Sequence, residues 1–151
     1  MKKINLTNEQ IKDIAGNLEA GMVCHINTKN MKFIYLLDEI DMLSADMEYW
    51  QDDVDEVEEN YDNYFTIEKM NSTEAYKIME EFAESITDNN LYGKLTNALN
   101  RRKPFQNFKW IIDNSGEYRQ HWFDFKTKYY ISWVKDRIDA YNLSLKLDEK
   151  E

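Results

Sequence analysis

Three consecutive cations precede a proline and an aromatic run in the segment RRKPFQNFKWIID, residues 101–113. Cations beside aromatic rings can hold phosphates and stacked bases, and a helix N-terminus adds backbone N–H groups that bind anions. The same residues suit a helix boundary, because cations stabilise the end of one helix and proline is favoured at the start of the next. The boundary is the simpler interpretation. Anion binding by Arg101, Arg102 and Lys103 is the alternative.

A second set of cations lies in the last long helix, which the apolar spacing predicts over residues 117–142. Arg119, Lys126 and Arg137 are separated by 7 and then 11 residues. Both spacings are close to whole numbers of helical turns, so the three form one row. Such a row either pairs with carboxylates or lines an anion-binding groove. Pairing with the acidic residues of segment 38–68 is the interpretation that we favour.

Acidic residues are concentrated in that segment of a chain whose formal net charge is -10. Residues 38–68 contain thirteen Asp and Glu and no Lys or Arg. This charge repels nucleic acid and anionic lipid headgroups alike, so both are disfavoured as partners of this part of the chain. A predicted helix over residues 46–61 carries an apolar stripe on one side: Met47, Trp50, Val54, Val57 and Tyr61. Four acids on its other side are the candidates for binding a basic protein: Asp52, Asp55, Glu56 and Glu59.

Residue pairs suited to catalysis are few. Cys24 and His25 are adjacent on a predicted strand, so their side chains point to opposite faces and cannot form a nucleophile and base pair. His121 with Asp124 or Glu117 lies on the wet face of the last helix, where such clusters are usually solvated. The chain has no Gly-rich phosphate loop, no G-x-S-x-G and no H-E-x-x-H. We therefore predict no catalytic residue and no cofactor, and a hydrolase using His121 or carboxylates ranks last.

A metal site is not predicted either. Two histidines and one cysteine cannot supply a Cys/His zinc site of the usual kind, and a single cysteine excludes an intrachain disulfide. The run DDVDEVEE, residues 52–59, places carboxylates at helical spacing but lacks the glycine and the terminal spacing of an EF-hand. We interpret it as a solvated helix face.

The elements that position these residues follow from capping signals and periodicity. Thr7 and Gln10 form a capping box ahead of a helix that Gly21 can end. Residues 22–37 predict a hairpin, and residues 64–69 predict a further strand. Asp88 suits the N-cap of a later helix.

The proline of the opening segment has a place in the same scheme. Pro104 predicts the first position of a helix on which Phe105, Phe108 and Ile112 face a core. On the last helix, one side is predicted to face water: Glu117, His121, Asp124, Lys128, Ser132, Lys135 and Asp139.

Length and composition complete the prediction. A chain of 151 residues with 42% hydrophobic content suits one domain. We predict an α+β protein: residues 1–69 hold a helix, a small antiparallel β-hairpin or three-stranded sheet and the acidic helix, residues 70–143 form a mainly helical bundle, and residues 144–151 fray. The N-terminus lacks an apolar h-region, and no run approaches a membrane span. We therefore expect a soluble, cytoplasmic protein that does not contact membranes.

The segments EAYKIMEEFAESI and PFQNFKWIIDNSGEYRQHWFDFKTKYY resemble the C-terminal signature of a bacterial family known only as an uncharacterised protein family. The resemblance covers residues 74–134, and Phe105, Phe108, Lys109, Trp122, Phe123 and Phe125 carry it. It implies a bacterial, cytoplasmic, single-domain protein, and it implies no activity and no catalytic residue.

Two functions remain in competition. The first is a non-enzymatic protein-interaction module that presents its acidic helix to a basic protein partner. The alternative is binding of nucleic acid or small anions through a basic, aromatic-flanked surface made of Arg101, Arg102, Lys103, Arg119, Lys126 and Arg137. Acids covering the cation row would weaken the alternative, and an open groove along that row would weaken the first function.

Overall fold

A computed structural model describes residues 2–149. These residues contain a three-stranded antiparallel sheet and seven α-helices, which confirms the α+β prediction. In chain order the elements are α1 (Asn8–Glu19), β1 (Val23–Asn27), β2 (Phe33–Leu36), α2 (Glu39–Met42), α3 (Met47–Glu59), a 3₁₀ turn (Tyr61–Asn63), β3 (Tyr64–Ile67), α4 (Ser72–Ser85), α5 (Asn89–Leu99), α6 (Pro104–Asp113) and α7 (Tyr118–Glu149).

The chain folds into two compact units. The first unit comprises residues up to Lys69 together with those from Tyr130 onward, and the second unit comprises Met70 to Tyr129. Helix α7 therefore contributes its first part to the second unit and its remainder to the first unit. The prediction of one domain over residues 1–151 stays a prediction.

The sheet of the first unit has the strand order β2-β1-β3, with both neighbouring pairs antiparallel. This confirms the hairpin and the joining of the third strand. Cys24 pairs with Tyr35 on one side and with Ile67 on the other. One face of the sheet packs with α1 and α7 through a core that includes Ile14, Leu18, Ile26, Val134 and Ile138. The other face packs under α3 through Ile34, Leu36, Val57 and Tyr64.

The predicted capping box starts α1. Thr7 Oγ1 accepts a hydrogen bond from the Gln10 N–H at 3.1 Å, and Gln10 Oε1 accepts one from the Thr7 N–H at 2.9 Å. Two backbone donors that the helix leaves unpaired are thereby satisfied. Gly21 follows the helix with φ of 97°, a conformation that glycine adopts without strain.

Replacing Thr7 by alanine is expected to lower the free energy of unfolding by about 1 kcal/mol, because one of these donors loses its partner. Urea denaturation followed by circular dichroism measures the change. Thr127→Ala is the matched control, since Thr127 is exposed in the middle of α7 and alanine is the better helix former. A loss for Thr7→Ala no larger than that of the control would contradict the capping role.

The second unit packs α4, α5, α6 and the start of α7 around an aromatic core. Phe82 lies 5.2 Å from Trp122, 5.3 Å from Phe125 and 6.5 Å from Phe108 between ring centroids. The predicted cap of α5 is present, since Asp88 Oδ1 accepts a hydrogen bond from the Leu91 N–H at 3.0 Å. Pro104 is the first residue of α6, as predicted.

The burial predicted for α6 is correct at two positions and wrong at one. Phe108 and Ile112 are each 1% exposed, whereas Phe105 is 42% exposed. Phe105 has the right phase on the helix but lies in its first turn. The contacts of α6 with the core begin one turn further along, at Phe108.

The C-terminal segment also differs from its prediction. Helix α7 continues to Glu149, so residues 144–149 are helical rather than frayed, while 150 and 151 lie outside the described residues. Leu145 packs against the core of the first unit, which holds this part of the helix in place. The predicted wet face of α7 is exposed throughout: Glu117, His121, Asp124, Lys128, Ser132, Lys135 and Asp139.

Candidate functional site

Helix α3 positions the predicted acidic residues on a single face. The helix begins after Asp46, whose Oδ1 accepts a hydrogen bond from the Glu48 N–H at 3.1 Å. Val57 and the half-buried Trp50 and Val54 pack against the sheet residues beneath. The opposite side of the helix carries, at spacings of i, i+3, i+4 and i+7, Asp52, Asp55, Glu56 and Glu59.

Two of these four carboxylates are held by neighbours on the helix. Asp55 Oδ1 accepts a hydrogen bond from Gln51 Nε2 at 2.7 Å. Glu56 Oε2 accepts one from Asn60 Nδ2. Asp52 and Glu59 are exposed. The structure thus brings the predicted acids together and orients two of them, while their role in binding a partner stays a prediction.

Large apolar side chains stand exposed in the same acidic segment. Leu43 is 88% exposed, and three others lie between 74% and 78%: Ile40, Tyr49 and Tyr61. We call these four side chains, together with the four acids of α3, the α2–α3 surface. Large apolar side chains left exposed on a folded protein often mark an interaction site when they lie together.

This apolar component was not predicted from the sequence. The predicted place of Tyr61 in the apolar stripe of the acidic helix is wrong, because α3 ends at Glu59 and Tyr61 begins a 3₁₀ turn. Ile40 and Leu43 belong to short α2 and the turn after it. In the sequence they appear as apolar residues that belong to no helical stripe.

A lysine that follows β3, outside the predicted cation row, forms ion pairs at the start of α2. Lys69 Nζ lies 2.8 Å from Asp38 Oδ2 and 3.3 Å from Asp41 Oδ2. The hydrogen bond from Lys69 holds the pKa of Asp38 below its ordinary value, and the same bond raises the pKa of Lys69. Asp38 also caps α2, since its Oδ1 accepts from the Asp41 N–H at 2.7 Å.

The three side chains of the cation row lie over aromatic rings of the same helix, α7. The Arg119 guanidinium lies 4.8 Å from the Phe123 ring centroid, and Arg119 Nε lies 3.3 Å from Asp113 Oδ1. Lys126 Nζ lies 5.4 Å and 5.3 Å from the ring centroids of Trp122 and Phe123. In the first unit, the Arg137 guanidinium stacks 3.5 Å from the Trp133 ring centroid.

For Arg119 the ion pair differs from the expected one. The ion pair of Arg119 is with Asp113, not with a carboxylate of segment 38–68. A cation over an aromatic face gains electrostatic attraction to the ring while its charged end stays near water. Each cation of the row therefore lies over an aromatic ring three or four residues away along α7.

The cations of the opening segment lie in the connection between α5 and α6. Arg101, Arg102 and Lys103 are exposed, and Lys103 adopts a left-handed conformation with φ of 54° just before Pro104. Of the six cations that the sequence analysis selected for anion binding, Arg101 lines a groove of about 620 Å³ between α5 and α6. Anion binding by the six stays a prediction.

Cys24 and His25 point to opposite faces of the sheet, as predicted. Cys24 is 0% exposed within the core of the first unit. His25 Nδ1 lies 2.8 Å from Thr66 Oγ1 on the other face, and burial lowers the pKa of its imidazole. Across residues 2–149, no three His, Cys, Asp or Glu side chains converge as metal ligands would.

Comparison with known proteins identifies a family. Residues 24–150 match the uncharacterised protein family UPF0158, and the chain belongs to it. A UPF0158 protein of Pseudomonas aeruginosa is 27% identical over 73 residues, which cover 48% of each chain. The chain thus spans about half the length of this curated relative. No solved structure matches the chain significantly. None of the helices within the described residues has the length and apolar character needed to cross a membrane.

Proposed function

We propose that this member of family UPF0158 is a non-enzymatic protein-interaction module whose α2–α3 surface binds a basic partner protein. The observation that carries the proposal is the exposure of Leu43, Ile40, Tyr49 and Tyr61 in the same segment of the chain as the acidic face of α3. Exposing four large apolar side chains to water is unfavourable in the free chain. Covering them with a partner would remove that cost.

The distribution of charge supports a basic partner. Residues of the first unit carry ten Lys and Arg against 21 Asp and Glu, a net of -11, whereas the second unit carries nine against eight, a net of +1. Acids at the rim of an interface attract a partner of opposite charge and speed encounter, while apolar residues and tyrosines at its centre contribute most of the affinity. The α2–α3 surface offers both components.

The test replaces the four acids of α3 with amides: Asp52→Asn, Asp55→Asn, Glu56→Gln and Glu59→Gln. Partners retained by the immobilised wild-type chain are eluted with a salt gradient, purified, and measured by surface plasmon resonance. At low salt we expect association to slow by about tenfold or more and to lose most of its salt dependence, with a smaller change in the dissociation rate. The matched control neutralises four exposed acids of α7: Asp136, Asp139, Asp148 and Glu149.

Stability of the same variant separates recruitment from an internal role. The four carboxylates lie on the helix surface, so we expect the free energy of unfolding to change by less than about 1 kcal/mol. A clear loss of stability with unaltered partner binding would refute the proposal. The double variant Leu43→Ser and Tyr49→Ser should instead raise the dissociation rate, because it removes apolar surface from the interface and leaves the charge unchanged.

A further inference from the structure

The groove between α5 and α6 is built from two facing stripes of side chains. On α5 and just after it, Asn90, Lys94, Asn97 and Arg101 recur every three or four residues, so they share one side of the helix. On α6, Asn107, Trp110 and Asn114 do the same. Leu91, Ala98 and Ile111 form an apolar floor between the stripes. The α5 stripe is roughly 16 Å long at 1.5 Å per residue.

The asparagines of the two stripes differ in the hydrogen bonds that their side-chain amides make. Asn107 Nδ2 donates to the Arg102 carbonyl at 2.9 Å, and Asn114 Nδ2 donates to the Trp110 carbonyl at 2.7 Å. These bonds orient both amides on α6 and leave their Oδ1 atoms as acceptors. The side-chain amides of Asn90 and Asn97 have no hydrogen-bond partner within residues 2–149. The groove therefore presents both donors and acceptors along its length.

An exposed indole stands at the edge of this groove. Trp110 is 69% exposed and lies two residues from both buried Phe108 and buried Ile112, so it is on the side of α6 that faces away from the core. Its large flat ring is therefore available to a ligand. Tyr118 lines the groove as well.

Charge in the groove favours an anion. Lys94 and Arg101 line it against a single acid, Asp88, whose carboxylate already caps α5. Arg102 and Lys103 are exposed next to Arg101. The second unit is net +1 within a chain of net -10, so the repulsion expected from the whole chain is concentrated in the other unit.

We propose that the groove between α5 and α6 binds a short single-stranded segment of nucleic acid. A base stacks on Trp110, Lys94 and Arg101 hold the phosphates, and the asparagine amides contact base edges. A groove that is open along two helices suits a segment of a nucleic-acid strand better than a free nucleotide, because the binding site of a small ligand usually encloses it on most sides. An acidic peptide would use the two cations but would have no need of the exposed indole. This site is separate from the α2–α3 surface and does not depend on its role.

Fluorescence anisotropy of the full chain with labelled single-stranded RNA and DNA of about ten nucleotides tests the proposal. We expect Trp110→Ala to weaken binding by about 5- to 150-fold, which corresponds to the stacking of one base. Phe105→Ala is the matched control, since Phe105 is an exposed aromatic residue on the same helix but outside the groove. It should leave binding unchanged.

The salt dependence of binding tests the role of Lys94 and Arg101. Lys94→Gln with Arg101→Gln should reduce the slope of log affinity against log salt by about 0.7 for each phosphate that the variant no longer neutralises. Lys77→Gln with Lys128→Gln removes the same charge from exposed positions outside the groove and should leave that slope nearly unchanged. The amide variant of α3 should keep its affinity for the oligonucleotide, so failure of one proposal would not imply failure of the other.

Several results would overturn the proposal. Absence of oligonucleotide binding by the wild-type chain at low salt would do so. Equal affinities of the groove variants and their controls would show that binding occurs elsewhere. Competition by mononucleotides at the same molar concentration as the oligonucleotide would assign the groove to a free nucleotide. Binding of labelled poly-glutamate, with no binding of the labelled oligonucleotides, would assign it to an acidic peptide.

Discussion

Replacing Phe108 by alanine should lower the free energy of unfolding by about 3 to 5 kcal/mol. Phe108 is 1% exposed and lies between two other aromatic residues, with ring centroids 4.9 Å from Trp122 and 6.5 Å from Phe82. Truncation removes the apolar area of the ring and leaves a cavity that these large neighbours can fill only in part. Three helices of the second unit meet at this residue, so the cavity weakens the packing of all three.

Phe105→Ala provides the comparison on the same helix. Its ring is 42% exposed and lies outside the core cluster, so we expect a loss of less than about 1 kcal/mol. Both variants are measured by urea denaturation, reading the midpoint with the slope checked for constancy. Similar losses for the two variants would contradict the placement of α6. A changed slope would mean that the unfolded state or the cooperativity has altered.

Features that depend on neighbours in sequence could be predicted. The caps at Thr7 and Asp88 and the start of α6 at Pro104 each involve residues within three or four positions, and all are present. The hairpin of β1 and β2 was predictable because a short connection joins its strands, whereas the pairing of β3 with β1 joins residues about 40 positions apart. For the caps and the hairpin, the deciding interactions lie between residues that are close in the sequence.

Apolar periodicity predicted which side of a helix is buried, but it did not predict where along the helix the buried stretch ends. Phe105 and Tyr61 both have the phase of a buried stripe, yet both are exposed, because Phe105 lies in the first turn of α6 before its packed contacts and Tyr61 lies beyond the end of α3. A hydrophobic pattern states which side of a helix faces a core. It does not state how far along the axis that core extends.

The ion pair of Arg119 differs from its prediction for another reason. A carboxylate of segment 38–68 was the expected partner, whereas the pair is with Asp113, and the rings under Arg119, Lys126 and Arg137 lie three or four residues away on α7. That signal was available in the sequence. The groove between α5 and α6 was not, since two stripes can be read separately but their facing each other is set by how the helices pack.

Cys24 should react with iodoacetamide at pH 8 at least a thousandfold more slowly in the folded chain than in the urea-unfolded chain. Burial raises the pKa of its thiol from 9.0 to about 12, and a hydrogen bond with Tyr35 offsets only part of that rise. The thiolate is the reactive form, and raising the pKa by three units lowers its fraction about a thousandfold at this pH. The side chain is also 0% exposed, which adds steric exclusion of the reagent.

The control for this measurement is a surface thiol on the same fold. Ser132→Cys introduces one on the wet face of α7, where it should react at nearly the rate of the unfolded chain. Rapid labelling of Cys24 in the folded state would contradict its burial. Slow labelling leaves Cys24 as a small apolar residue of the core.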